Sequence, residues 1–275
     1  MDYLQAVILG IVEGLTEFLP VSSTGHLTIA EQLLGLQVDD PAVTGFTAVI
    51  QMGAIAAVVL YFFGDIWRIA RAWVLGLVKP EYRGKFDHRM GWFVIAGSIP
   101  IGIVGILAKD LITGPLRSLW VVAVALIAWS AVMLLAERSA RQNRDERSLS
   151  IRDVIVVGLV QCVALVPGVS RSGATISAGL FRGLDRVTAT RLSFFLSIPA
   201  LVAAGIFELK DALGGDIGLG QTIVGTLVSF VVAYASIAWL LRFVAHHSIG
   251  RFVPYRVGLG LLLIVALSAG WLTAT

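Results

Sequence analysis

The chain has 275 residues, 57% of them hydrophobic and 14% charged, with a mean hydropathy of +0.87. That composition excludes a soluble domain of this length and points to a polytopic membrane protein. A net charge of +3 gives no footing for a nucleic-acid partner, and a single cysteine, Cys162, excludes an internal disulfide and a cysteine-built metal centre.

In chain order, the first apolar run is too short to span a bilayer. Leu4 to Val12 is nine residues, about 14 Å of helix at about 1.5 Å per residue and roughly half the hydrocarbon core. No basic region or small-residue cleavage site accompanies it, so no removable signal peptide is expected. It leads into "EGLTEFLPVSSTGH", Glu13 to His26, where Pro20, Ser22, Ser23, Thr24 and Gly25 interrupt the helix before an apolar return to Gly35. The pattern predicts a re-entrant hairpin over residues 3–35. Ionisable groups at membrane depth are costly and mark functional sites by default, and broken backbone there must be satisfied by protein or a wet cavity.

Three spans follow, at about 44–63, 90–107 and 118–136. A second interrupted segment, 152–183, is apolar from Val154, breaks at "VPGVSRSGAT" (Val166 to Thr175) and resumes to Phe181. Spans at about 189–208, 221–241 and 255–272 complete the chain, each near the roughly 17 to 25 residues a crossing needs.

Laying the two interrupted segments on each other at a constant offset of 148 pairs Gly10 with Gly158, Glu13 with Gln161, Val21 with Val169, Ser22 with Ser170, Thr24 with Ser172 and Gly25 with Gly173. The prolines miss register by one, and Glu17 falls on Leu165. The fold class predicted is therefore an all-α membrane domain over 1–275 built from a repeat, 1–148 and 149–275, each half one re-entrant hairpin and three spans. Three is odd, so the halves are inverted. Lys and Arg number six in 64–89 and four in 137–151 but none in 36–43, which places the first two regions in the cytoplasm and both termini outside.

The second helix of each hairpin would present unpaired N–H groups and a positive dipole end at mid-depth, a site for an anion such as phosphate. Hydroxyls around the breaks add donors, and Arg171 adds a planar fork that fits phosphate oxygens. Glu13 and Glu17, at i and i+4, share one helix face. Two carboxylates beside a polyphosphate call for a cation between them, and Mg²⁺ or Ca²⁺ would accept both kinds of oxygen.

The two motifs, "EGLTEFLPVSSTGH" and "PGVSRSGAT", with "FTAVIQMGAIAAVV" (Phe46 to Val59) between them, resemble the undecaprenyl-diphosphate phosphatase family, the bacitracin-resistance proteins of bacterial membranes. The resemblance covers essentially the whole chain. It implies a multi-pass inner-membrane enzyme that removes the terminal phosphate of a C55 polyprenyl diphosphate with a divalent metal and recycles the lipid carrier of cell-wall synthesis. On this resemblance Glu13 and Glu17 match the acidic pair tied to metal and catalysis, Ser23 the nucleophile, His26 its acid/base partner and Arg171 the phosphate-binding arginine. Ser22, Thr24, Ser170, Ser172 and Thr175 match supporting polar positions on the substrate side, with Gly25 and Gly173 at the helix starts. Gln51 and Gln161 are read as network partners, Gln51 beside the substrate.

Each residue also has a structural reading. Ser22, Ser23 and Thr24 could cap a helix, His26 could bond a backbone carbonyl, and Arg171 could pair with Glu13 or Glu17. His88, His246 and His247 are expected in solvent, and Trp67, Trp73, Trp92, Trp239 and Trp271 at the membrane interface. A transporter or flippase for a lipid or anionic solute is the rival reading of the same architecture. Assembly as a homo-oligomer is left open.

Overall fold

The computed structural model describes residues 1–38, 40–212 and 218–274; Asp39 in the 36–43 connection and Thr275 at the terminus lie outside them. The described residues form helices and no strand. In order these are α1 (Tyr3–Thr16), α2 (Ser23–Leu33), α3 (Pro41–Tyr61), α4 (Phe63–Val78), α5 (Phe86–Leu107), α6 (Lys109–Thr113), α7 (Leu119–Ser139), α8 (Ile151–Gln161), α9 (Arg171–Phe181), α10 (Arg186–Ala212), α11 (Leu219–His246) and α12 (Val253–Ser268). Six are long and apolar enough to cross a membrane: α3, α5, α7, α10, α11 and α12 with the turn before it. They fall where the six apolar runs predict. Large apolar side chains such as Ile106, Leu107, Leu227 and Leu262 remain on the outer surface, as a helix facing lipid requires.

Sequence chemistry explains the short helices. Asp2 caps α1 by accepting from the Gln5 amide at 2.7 Å while the Gln5 side chain accepts from the Asp2 N–H. Ser150 and Asp153 build the same capping box at the start of α8. These are again positions 148 apart. So are the starts and ends of α2 and α9. Gly10 brings α1 so close to α11 that a Cβ would lie 2.5 Å from the Gly225 carbonyl, and Gly158 does the same for α8 on α5, 2.3 Å from the Gly97 carbonyl. Alanine fits at neither.

Two expectations need correction. The 64–89 region, counted as a basic connection, is mostly the helix α4, which buries Ile69, Ala72 and Gly76 against α5 and turns Arg68 and Arg71 outward. His88 is not solvated. It is 7% exposed, sits against Gly76 and lies 3.3 Å through Nδ1 from the Ala72 carbonyl. His246 is exposed, whereas His247 is half-buried and stacks on Phe243.

The basic connections at this end are pinned to acids. Arg144 and Arg182 both meet the fully buried Asp153, at 2.6 and 2.8 Å, and Arg186 meets Glu137 at 2.8 Å. Burial alone would raise the Asp153 pKa; the bonds from Arg144, Ser150 and Arg182 outweigh it and hold the carboxyl below its ordinary range. The Arg182–Asp153 bond ties the end of α9 to the first turn of α8.

Candidate active site

The two breaks meet. Residues 17–22 reverse the chain between α1 and α2, and 162–170 do so between α8 and α9. Ser22 and Ser170, the last residues before α2 and α9, both hold positive φ, 78° and 74°. A non-glycine residue there costs on the order of 1–3 kcal/mol and persists only where surroundings fix it. Gly168 has φ 96°, and a Cβ on it would come within 2.5 Å of the Val122 carbonyl. Ser22 spends its hydroxyl across the gap, accepting from the Gly168 N–H at 3.0 Å. Ser170 caps its own helix through Gly173 N–H at 3.2 Å and lies 3.2 Å from the Ser172 hydroxyl.

A residue that the sequence reading missed ties the breaks together. Arg256, on α12, is 0% exposed and donates to the carbonyls of Pro20 (2.9 Å), Gly168 (2.9 Å) and Val169 (3.1 Å), and to Ser130 Oγ (3.1 Å). Pro20 and Gly168 are positions 148 apart. A cation inside an apolar run with no carboxylate near it in sequence is the signal that could have found it.

Within this frame the ionisable groups form a line. Glu17 is 7% exposed; its Oε2 accepts from Ser23 Oγ at 2.6 Å and its Oε1 from Arg171 Nη2 at 3.0 Å. Arg171 Nη2 also reaches the Glu17 carbonyl at 3.3 Å, and the guanidinium lies over the Phe18 ring. Its other terminal nitrogen, Nη1, is buried with no hydrogen-bond partner among the described residues. Glu13, one turn before Glu17, is fully buried and within electrostatic reach of Arg171. A hydroxyl, a carboxylate bonded to it and a third group orienting that carboxylate make the geometry of an activated nucleophile.

His26 bonds the Ser22 carbonyl through Nδ1 at 2.7 Å and Tyr255 OH through Nε2 at 2.6 Å. Thr24 faces outward, with its carbonyl accepting from Thr28 Oγ1. Gly25 is buried against Val122. Thr175 is buried and turned to α10, donating to Ser193 Oγ at 2.6 Å. Gln51 is half-buried on α3 and, among the described residues, is not hydrogen-bonded to this group. Gln161, the counterpart of Glu13, is fully buried with both polar atoms unbonded among the described residues.

Six membrane-length helices with a buried cluster of ionisable groups where two helix breaks meet define a polytopic membrane protein. The family model described as bacitracin resistance protein BacA matches residues 6–262, and the chain belongs to that family. It is 57% identical over 271 residues to undecaprenyl-diphosphatase of Acidothermus cellulolyticus and 59% identical over 271 residues to undecaprenyl-diphosphatase 1 of Frankia alni, each match covering 98% of both chains. With undecaprenyl-diphosphatase 1 of Streptomyces coelicolor it shares 60% identity over 267 residues, covering 97% of this chain and 96% of the relative.

Proposed function

We propose that this protein is an undecaprenyl-diphosphatase, which hydrolyses the terminal phosphate of a C55 polyprenyl diphosphate and so recycles the cell-wall lipid carrier and gives bacitracin resistance. The observation that carries the reading is the line Ser23–Glu17–Arg171, ending in a buried guanidinium nitrogen with no partner among the described residues. An unsatisfied buried donor costs about 1–3 kcal/mol or more, and a phosphoryl oxygen satisfies it. The N-termini of α2 and α9 supply further donors.

Ser23 Oγ attacks the terminal phosphorus or holds the attacking water, Glu17 Oε2 takes the released proton, and His26 is the second acid/base group of the reaction. The bond from phosphorus to the bridging oxygen breaks and the lipid leaves as its monophosphate; where Ser23 attacks directly, water then hydrolyses the phosphoserine, releasing phosphate and restoring the hydroxyl. Arg171 meets the charge that spreads over the equatorial oxygens. Glu13 and Glu17 would hold a divalent cation, Mg²⁺ or Ca²⁺. The donor set fits: each carboxylate oxygen has two lone pairs, so Glu17 can serve Ser23 and Arg171 and still ligate, while phosphate oxygens complete the shell. Such an ion neutralises charge on the diphosphate when bound.

The site lies in an inverted repeat whose two broken helix pairs are re-entrant. The matched capping boxes, the paired close contacts of Gly10 and Gly158, and the shared left-handed backbone of Ser22 and Ser170 support that reading. So does the exchange of partners, with α1 packed on α11 and α8 on α5. In the bacterial inner membrane the basic connections face the cytoplasm, and the site opens toward the outer side.

Phosphate release from a long-chain prenyl diphosphate by the purified protein, with and without a chelator, tests the activity. No release under either condition would leave a lipid transporter as the reading.

A further inference from the structure

His26 is held from two sides by different elements. Its Nδ1 lies 2.7 Å from the carbonyl of Ser22 at the first break, and its Nε2 lies 2.6 Å from the hydroxyl of Tyr255 on α12. The rings are 5.6 Å apart and nearly parallel, at 13°. We propose that Tyr255 is a positioning residue of the phosphatase reaction, fixing the tautomer and the aim of His26; this rests on the function proposed above.

A carbonyl oxygen only accepts, so the nitrogen facing Ser22 carries the proton. In the neutral ring the lone pair then sits on Nε2, and Tyr255 donates to it. A hydroxyl can rotate from donor to acceptor. The pair therefore accommodates a proton gained or lost at Nε2 without moving the imidazole, and Nε2 is the one nitrogen of His26 through which the reaction can exchange a proton. Tyr255 is itself placed by its neighbour. Arg256 fixes the start of α12 to both breaks through the Pro20, Gly168 and Val169 carbonyls, so the tyrosine hydroxyl keeps its distance from a ring that starts at the same break. A side chain that touches no other ionisable group of the site thus reaches the site through His26.

Tyr255→Phe keeps the ring and removes one oxygen. It is expected to lower kcat about 3- to 10-fold, the worth of one ordinary hydrogen bond, with KM unchanged. In a His26→Asn background the same change should have no further effect on the residual rate, because the two residues act as one unit. Nitrogen-15 spectra of histidine-labelled full-length protein, with His26 assigned from the His26→Asn variant, should show His26 protonated at Nδ1 in the parent and a tautomer mixture in Tyr255→Phe. An equal loss in both backgrounds, or a parent His26 protonated at Nε2, overturns the proposal. If the parent releases no phosphate, the proposed function falls, and the tautomer comparison still decides whether Tyr255 governs His26.

Discussion

Ser23 and Glu17 stand on opposite sides of a chain reversal and share a 2.6 Å hydrogen bond. Nothing local enforces it. α1 ends by presenting Glu17, α2 begins by presenting Ser23, and the backbone between them is held by partners from elsewhere: the Phe18 ring edge-on to Phe194 at 5.4 Å, the Pro20 carbonyl on Arg256, and the Ser22 hydroxyl on Gly168. The contact is a product of tertiary structure.

The two adjacent serines should therefore differ in kind. Ser23→Ala removes the hydroxyl bonded to the proposed base and should lower kcat by orders of magnitude with little change in stability. Ser22→Ala leaves the buried Gly168 N–H unsatisfied, so its main effect should be a stability loss of about 1–3 kcal/mol, read as a fall in Tm in detergent. A phosphoserine trapped at Ser23 would separate direct attack from water activation, since oxygen from water enters the released phosphate on either route. Equal kinetic losses in both variants would reduce the serines to structural roles.

Glu17→Gln keeps the shape of the side chain and can still accept from Arg171, but its amide nitrogen cannot accept from Ser23 or bind a cation. Activity should fall by orders of magnitude while the protein folds, and excess chelator should silence the parent. Full activity in chelator would remove the metal from Glu13 and Glu17.

The topology is open to a direct test. Single cysteines placed in a Cys162→Ser background should react with an impermeant reagent in intact cells at 36–38, and should be protected on α4 and in 140–148. Labelling of α4 from outside would overturn the orientation and, with it, the inverted repeat.

Much of this arrangement is legible in the sequence because the membrane makes errors expensive. Apolar runs of spanning length identify the six long helices, and polar groups inside the two short runs identify the breaks. The failures have a common cause. α4 interleaves Arg68 and Arg71 with Ile69, Ala72 and Trp73, so counting charges over 64–89 hides a helix whose buried face appears only against α5. His88 is buried because Gly76 leaves room for its ring, which no local pattern reveals. Arg256 bonds mainly backbone carbonyls, from Pro20, Leu126, Gly168 and Val169. Carbonyls leave no residue type to read.

Arg171→Lys tests whether the guanidinium acts by shape or by charge. Lysine preserves the positive charge beside Glu17 but cannot hold the carboxylate with one terminal nitrogen and a phosphoryl oxygen with the other. Loss of a transition-state hydrogen bond should cost roughly 2–4 kcal/mol, about 30- to 1000-fold in rate, so Arg171→Lys should fail nearly as badly as Arg171→Ala. A lysine variant within a few-fold of the parent would leave Arg171 as a structural ion pair. A rise in KM at constant kcat would mean that it binds substrate and transition state alike.

Arg256 should behave differently from Arg171, because its bonds are to the frame of the site. It is fully buried and its donors satisfy carbonyls from both breaks as well as Ser130. Arg256→Met removes the charge and leaves those acceptors without partners, each worth about 1–3 kcal/mol when buried; even with relaxation, a loss of several kcal/mol and a large fall in Tm are expected. Arg256→Lys keeps the charge but has three donors on a single nitrogen, which cannot span carbonyls on opposite sides of the fork. It should be intermediate in stability and should lower kcat, since a shift of the breaks by even 1 Å spoils the Ser23–Glu17 contact. Measured together, Tm and kcat should fall in step across Arg256→Lys and Arg256→Met. A variant that keeps full activity at a much reduced Tm would show that Arg256 stabilises the fold without setting the geometry of the site.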